Sequence, residues 1–303
     1  MGTLSMSSTP PSVIVSEAHS TTPTTPTIRG EWPPQSGAAW SRPLRVFPTM
    51  VKVGFAELVA YRSEVLIWVL TTTMPLIMYA VWSTIAEEAP IGRFDAGMFA
   101  AYFLSTLVVR QLASAWVVWE LNYVIRTGQL SSLLLRPVHP LLYFAAMNLG
   151  ALPFRFLILC PIVAGAFWML PEMHLDLSWW RLLLFAETTI LAWLLTFLIQ
   201  SLFGMLALYT QQSLAFQDAW FGVWSLLSGY LIPLELMPKV HSIAIWLPFR
   251  SMNALPTEII LGLLEGDALW QGLLVQAAWV LGVVVLVVFF WRRAIRRFEA
   301  FGN

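Results

Sequence analysis

The stretch LWQGLLVQAAWVLGVVVLVVFFW, Leu269–Trp291, holds no Asp, Glu, Lys or Arg, and Arg292 and Arg293 follow it at once. At about 1.5 Å per helical residue it reaches the roughly 30 Å needed to cross a hydrocarbon core. Similar apolar runs lie upstream at Val65–Ile85, Met98–Trp119, Ala151–Leu170 and Leu182–Tyr209, and a fifth starts near Trp220 and breaks around Gly229 and Pro233. The whole chain of 303 residues is 58% hydrophobic and only 11% charged. A soluble domain carries about 25% charged residues, so this chain has too few to coat a water-facing surface. The 16 Trp suit the two membrane interfaces. Long continuous runs, rather than short alternating ones, favour helices over an outer-membrane barrel as the spanning element. The expected fold is all-α: a polytopic membrane protein with about six transmembrane helices.

The flanks differ in kind. Residues 1–40 are rich in Ser, Thr and Pro and are expected to form a disordered cytoplasmic tail; they lack the basic start and apolar core of a signal peptide. Residues 41–64 read as an amphipathic interfacial helix, with Phe47, Met50, Val51 and Leu58 at helical spacing and Arg45, Lys52 and Arg62 supplying charge. The transmembrane domain then covers 65–291, and 292–303 form a basic cytoplasmic tail. Before the last span, Ser228–Gly262 is hydrophobic but interrupted by Pro233, Pro238, Pro248 and Pro256. One straight helix is therefore excluded, and an outer re-entrant segment is expected. With both termini inside, eleven basic residues fall on inner segments, among them Arg126, Arg136, Arg292, Arg293, Arg296 and Arg297. Four fall outside: Arg93, Arg181, Lys239 and Arg250. That asymmetry predicts cytoplasmic termini.

Chemical signatures are scarce. His19, His139, His174 and His241 are scattered, and the single Cys160 lies in an apolar run, so neither a metal pattern nor a disulfide framework is suggested. Neither Lys52 nor Lys239 follows a glycine, which excludes a phosphate-binding P-loop; no cofactor is expected in this chain. A net charge of zero suggests no nucleic-acid partner. Arg110, Glu187, Arg155 and Glu120 are ionisable residues inside or at the ends of predicted spans, where charge is costly. A structural role is expected for all four ahead of a substrate role. Arg155, near a cytoplasmic end like Glu120, is expected either to pair with it or to snorkel. An ion-coupled secondary transporter would show internal repeats, and none relates the two halves. An intramembrane enzyme would need clustered carboxylates, histidines or a nucleophile–base pair, and none is visible.

The inner loop after the second span is the informative one. Arg126, Gly128, Leu130, Leu133, Leu134, Arg136 and Pro137 predict a short amphipathic helix at the cytoplasmic face, opened by Gly128 and closed by Pro137. The run Arg126-Thr127-Gly128-Gln129-Leu130 with Leu133-Leu134-Leu135-Arg136-Pro137-Val138 resembles the signature of type-2 ATP-binding-cassette (ABC) exporter permeases. The segment Ser228-Gly229-Tyr230-Leu231-Ile232-Pro233 through Pro238, then Leu247-Pro248-Phe249-Arg250, is similar to the same family's broken fifth span and outer gate, which places Gly229, Pro233, Pro238 and Pro248 there. The resemblance covers about residues 44–298 and implies a permease subunit in the cell (inner) membrane. It further implies a dimer with a second permease, embedded in membrane lipid, and two cytosolic ATPase subunits that hold the ATP. The short inner helix would seat in a groove of the ATPase.

Overall fold

A computed structural model describes residues 41–60, 74–170, 172–210 and 212–301. Thirteen α-helices and two 3₁₀ turns make up the described chain, which contains no strand apart from a single bridge between Ile91 and Phe94. They are α1 Ser41–Ala60, α2 Met74–Glu88, α3 Ala96–Leu112, α4 Val117–Arg126, α5 Leu130–Leu134, α6 Pro140–Gly150, α7 Leu152–Met169, α8 Trp179–Met205, α9 Ser213–Leu227, α10 Pro238–Ala244, α11 Pro248–Met252, α12 Ala254–Ile260 and α13 Gly266–Phe301. The protein is thus an all-α polytopic membrane protein.

Four helical segments among the described residues are long and apolar enough to cross a bilayer: Ala96–Arg126, Pro140–Met169, Trp179–Leu208 and Gly266–Arg296. Of the first predicted span, residues 74–85 lie on α2 and 65–73 fall outside the described residues, as do residues 1–40. The fifth is short and broken. α9 stops at Leu227, and the chain continues through a 3₁₀ turn and the three short helices α10 to α12.

Helix α8 is the hub and packs against α4, α9, α11, α12 and α13. Its partners differ in what else they touch. In Ala96–Arg126 72% of the most apolar window is buried, against 28% in Gly266–Arg296, so α3 runs inside the protein while α13 keeps most of its surface outward. The α3 interior is aromatic: Phe99, Tyr102 and Phe103 are all buried. Helix α1 lies on α6 through two glycines. A Cβ on Gly54 would sit 2.9 Å from Met147 Cα, and one on Gly150 would sit 2.8 Å from Phe55 N and Val51 O. Only bare backbones cross that closely.

Three boundaries depart from the sequence expectation. The second span does not run unbroken from Met98 to Trp119: the helix stops at Leu112 and restarts at Val117. The buried Arg155 explains the gap, since its Nη1 donates to the carbonyls of Gln111 (2.9 Å), Leu112 (3.4 Å) and Ser114 (3.0 Å). The third helical segment starts at Pro140 rather than Ala151, because His139 Nδ1 caps Leu141 N at 3.2 Å and Pro140 occupies the first helical turn. Residues 292–301 do not leave the helix; they extend α13 to 36 residues, about 54 Å.

Candidate coupling segment and the polar sites of the spans

Helix α4 ends at Arg126, and Gly128, at φ +73°, turns the chain in the left-handed region that glycine adopts without strain. Three anchors hold the turn. Asn122 is buried and donates from Nδ2 to Ser213 Oγ on α9. Arg126 Nε donates back to Asn122 Oδ1 at 2.8 Å. Beyond the turn, Leu130 and Leu133 of α5 are buried, and Leu133 joins the main core with Leu121 and Leu141. The far side is fixed by the His139 ring, 4.6 Å from the Trp291 ring of α13. Arg136 lies over the Tyr143 face at 5.3 Å.

The leucines therefore divide. Leu130 and Leu133 face this chain's own core, and Leu134 is half-buried. Leu135 is 87% exposed, flanked by exposed Arg136 and Pro137. Sequence reading passed over Leu135, although helical phase points to it. At about 100° per residue it lies roughly 200° around the wheel from Leu133.

At the other end of α8 and α13, the broken stretch 228–262 exposes carbonyls that no helix uses, and side-chain donors meet them. Tyr102 Oη donates to Gly229 O at 2.7 Å and Trp82 Nε1 to Leu231 O at 3.2 Å. Trp279 Nε1 donates to Trp246 O at 2.8 Å, and buried Gln276 Nε2 donates to Ser251 O and Thr188 O, both at 2.9 Å. Irregular backbone at membrane depth requires this kind of satisfaction. Gly229 has φ +75°, and a Cβ there would sit 2.4 Å from Tyr102 Oη. Pro238 and Pro248 open α10 and α11, where a missing N–H costs nothing, and Pro233 precedes the 3₁₀ turn Leu234–Leu236.

Charge pairs tie this stretch together. Arg250 and Glu258 form a buried pair, with Nη2 to Oε2 at 2.5 Å and Nε to Oε2 at 3.1 Å. Arg93 pairs with Glu235 at 2.5 Å on the surface. Arg181 is only 3% exposed and gathers Asp176 (2.7 Å), the carbonyls of Ile259 (3.1 Å) and Leu264 (3.2 Å), and Glu265 (3.4 Å). Hydrogen bonding to Ser178, whose N–H donates to Oδ1 at 3.0 Å, and the Arg181 charge hold the Asp176 carboxyl below its usual pKa. Sequence reading placed Arg181 and Arg250 among ordinary outer charges and did not see these clamps.

The ionisable residues predicted inside spans have different surroundings. The Arg110 guanidinium lies 5.5 Å from the Phe221 ring centre and 5.1 Å from that of Trp224. Glu187 is exposed on α8. Arg155, besides capping α3, lies 5.0 Å over the Trp116 ring, whose Nε1 donates to Glu120 Oε1 at 2.8 Å.

A family model described as "ABC-2 family transporter protein" matches residues 72–302, from within the first predicted span through α13. Searches of curated proteins and of solved structures return no match. The matched stretch takes in both the inner Gly128–Pro137 turn and the broken, proline-punctuated segment, and covers well over half of the chain, which belongs to the ABC-2 transporter family.

Proposed function

We propose that this permease is the membrane-spanning subunit of an ATP-driven exporter, that it pairs with a second permease, and that ATP is hydrolysed on separate cytosolic ATPase subunits. In this reading Gly128–Pro137 is the segment that seats on the ATPase, both termini are cytoplasmic, and the membrane is the cell (inner) membrane. The observation that carries it is Leu135. An 87% exposed leucine stands at the tip of a turn whose Leu130 and Leu133 are committed to the core. The turn is also stiffly joined: to α9 through Asn122 and Ser213, and to α13 through His139 and Trp291. A push at Leu135 therefore reaches the broken α9 and the long α13 together. ATP-driven closure of the partner ATPases supplies that push, and movement of the helices around α8 opens a path outward.

Co-purification of Leu135→Asp with the cognate ATPase tests this reading. Burying a leucine is worth roughly 1.5–3 kcal/mol, so removing it and adding a charge should weaken docking by about tenfold or more. Membrane insertion should be unchanged, because the side chain makes no internal contact that the charge would break. Wild-type retention of the ATPase by Leu135→Asp would remove the coupling assignment.

A further inference from the structure

Arg110 is a cation in the spans with no carboxylate partner among the described residues. It lies near the middle of the 31-residue segment Ala96–Arg126, where a charge is costly and aromatic faces repay only part of that cost. The ion pairs among the described residues use Arg93, Arg181 and Arg250, never Arg110. Its neighbours are the faces of Phe221 and Trp224, and the Tyr230 ring lies 5.0 Å from that of Trp224.

Unused donors collect around it. Arg110 Nε and Trp224 Nε1 have no acceptor among the described residues, nor does Nη2 of Arg155, a second guanidinium whose Nη1 lies 2.9 Å from the carbonyl of Gln111, the residue next to Arg110. Trp224 is 5% exposed and Arg155 7%, so these N–H groups are buried and bulk water does not serve them. Buried donors left without acceptors call for a missing partner. All three groups donate and two are cationic, so the complement is an anion's oxygens. The Phe221 ring beside the guanidinium is 42% exposed on α9. That exposed ring offers contact to a hydrocarbon chain and nothing to a free ion.

We propose that Arg110, Trp224 and Phe221 form a binding site for the acidic headgroup of an amphiphile, a phosphate or carboxylate on an alkyl chain, which enters laterally between α3 and α9. Calling that ligand the cargo rests on the exporter reading; the binding itself does not. The chemistry serves a bilayer lipid and a single-chain amphiphile alike.

The test is binding of dodecyl phosphate, dodecyltrimethylammonium and inorganic phosphate to the full chain in phosphatidylcholine nanodiscs, without ATPase. Dodecyl phosphate should bind at least about tenfold tighter than either other probe, and Arg110→Gln should erase that preference. Arg110→Lys, which keeps the charge, should retain most of it, and Trp224→Phe should lose about fivefold for one donor. Thermal melting of each variant separates loss of the site from loss of the fold. Doping the discs with phosphatidic acid tells the sources apart: competition assigns the site to a bilayer lipid, its absence to a single-chain amphiphile. Equal binding of the two amphiphiles, or an unfolded Arg110→Gln whose Arg110→Lys counterpart folds without the preference, would overturn the proposal. So would a folded Arg110→Gln that keeps the preference, or inorganic phosphate binding as tightly as dodecyl phosphate. With no ATPase present, failure here leaves the Leu135 docking result standing, and the reverse holds as well.

Discussion

Single side chains in this permease do the work that regular hydrogen bonding cannot. Arg250 and Glu258, 6% and 9% exposed, show the energetic stakes. Arg250→Met would strand a buried carboxylate, at a cost of about 3–5 kcal/mol. The double variant Arg250→Met, Glu258→Leu should recover most of that loss, because two matched apolar groups leave no orphan charge. Melting temperatures of the three proteins in detergent check this, and a single variant as stable as wild type would contradict it. None of this was legible beforehand. Arg250 and Arg181 read as outer charges because composition records their type and not their partners, which lie 8 residues away for Glu258 and 78 for Ile259 O. Gly229 was legible, since a glycine next to a proline-punctuated run marks a break. That Tyr102 makes it indispensable was not. Leu135 falls between: the helical wheel contained the answer, but three neighbouring leucines drew attention to the wrong face.

Among the elements, legibility followed the length of the apolar run. The spans carried by α8 and α13 could be placed to within a few residues because their apolar runs are long and neither Pro nor a cluster of charges breaks them. The gap between α3 and α4 left no mark, since Ala113-Ser114-Ala115-Trp116 contains neither Gly nor Pro and its cause is Arg155, 44 residues from the carbonyl of Gln111. The early start of α6 has the opposite cause: Pro140 opens a helix well before the apolar run at Ala151 that marks the span. The seat of α1 on α6 yields a prediction at this scale. Gly150→Leu must push its Cβ into the backbone of Val51 and Phe55 at 2.8 Å, and overpacking of that kind costs about 1–3 kcal/mol. Gly165 and Gly282 have nothing within 4 Å of their Cβ positions, so leucine there should be tolerated. The comparison is made on thermal stability. A Gly150→Leu protein as stable as its Gly165→Leu counterpart would show that α1 is free to lift off α6.

For the whole molecule, the two ends of the helices can be told apart by contacts alone, and the charge pattern predicts which end faces the cytoplasm. At one end His139 meets Trp291, and exposed Arg126, Arg136, Arg292, Arg293 and Arg296 surround that contact. At the other, Asp176 N donates to Ile260 O at 2.9 Å, and Arg181 reaches Leu264 O and Glu265. Between Gly266 and Trp291 helix α13 rises about 37 Å, more than a hydrocarbon core of about 30 Å. If α13 spans, residues 172–179 and the turn at Gly128 must lie on opposite sides, whatever the number of spans before them. The cluster of arginines sets the hand, because basic residues beside a span stay inside. Reporter fusions after Gly128 and after Asn303 should therefore read as cytoplasmic, and fusions between Glu172 and Trp179 as external. Replacing Arg292, Arg293 and Arg296 together by asparagine should weaken the bias and give a mixed reading at the C-terminus. A cytoplasmic signal from both Gly128 and Glu172–Trp179 would mean that α8 and α13 do not cross the bilayer, and both the outer gate and the lateral site at Arg110 would lose their setting.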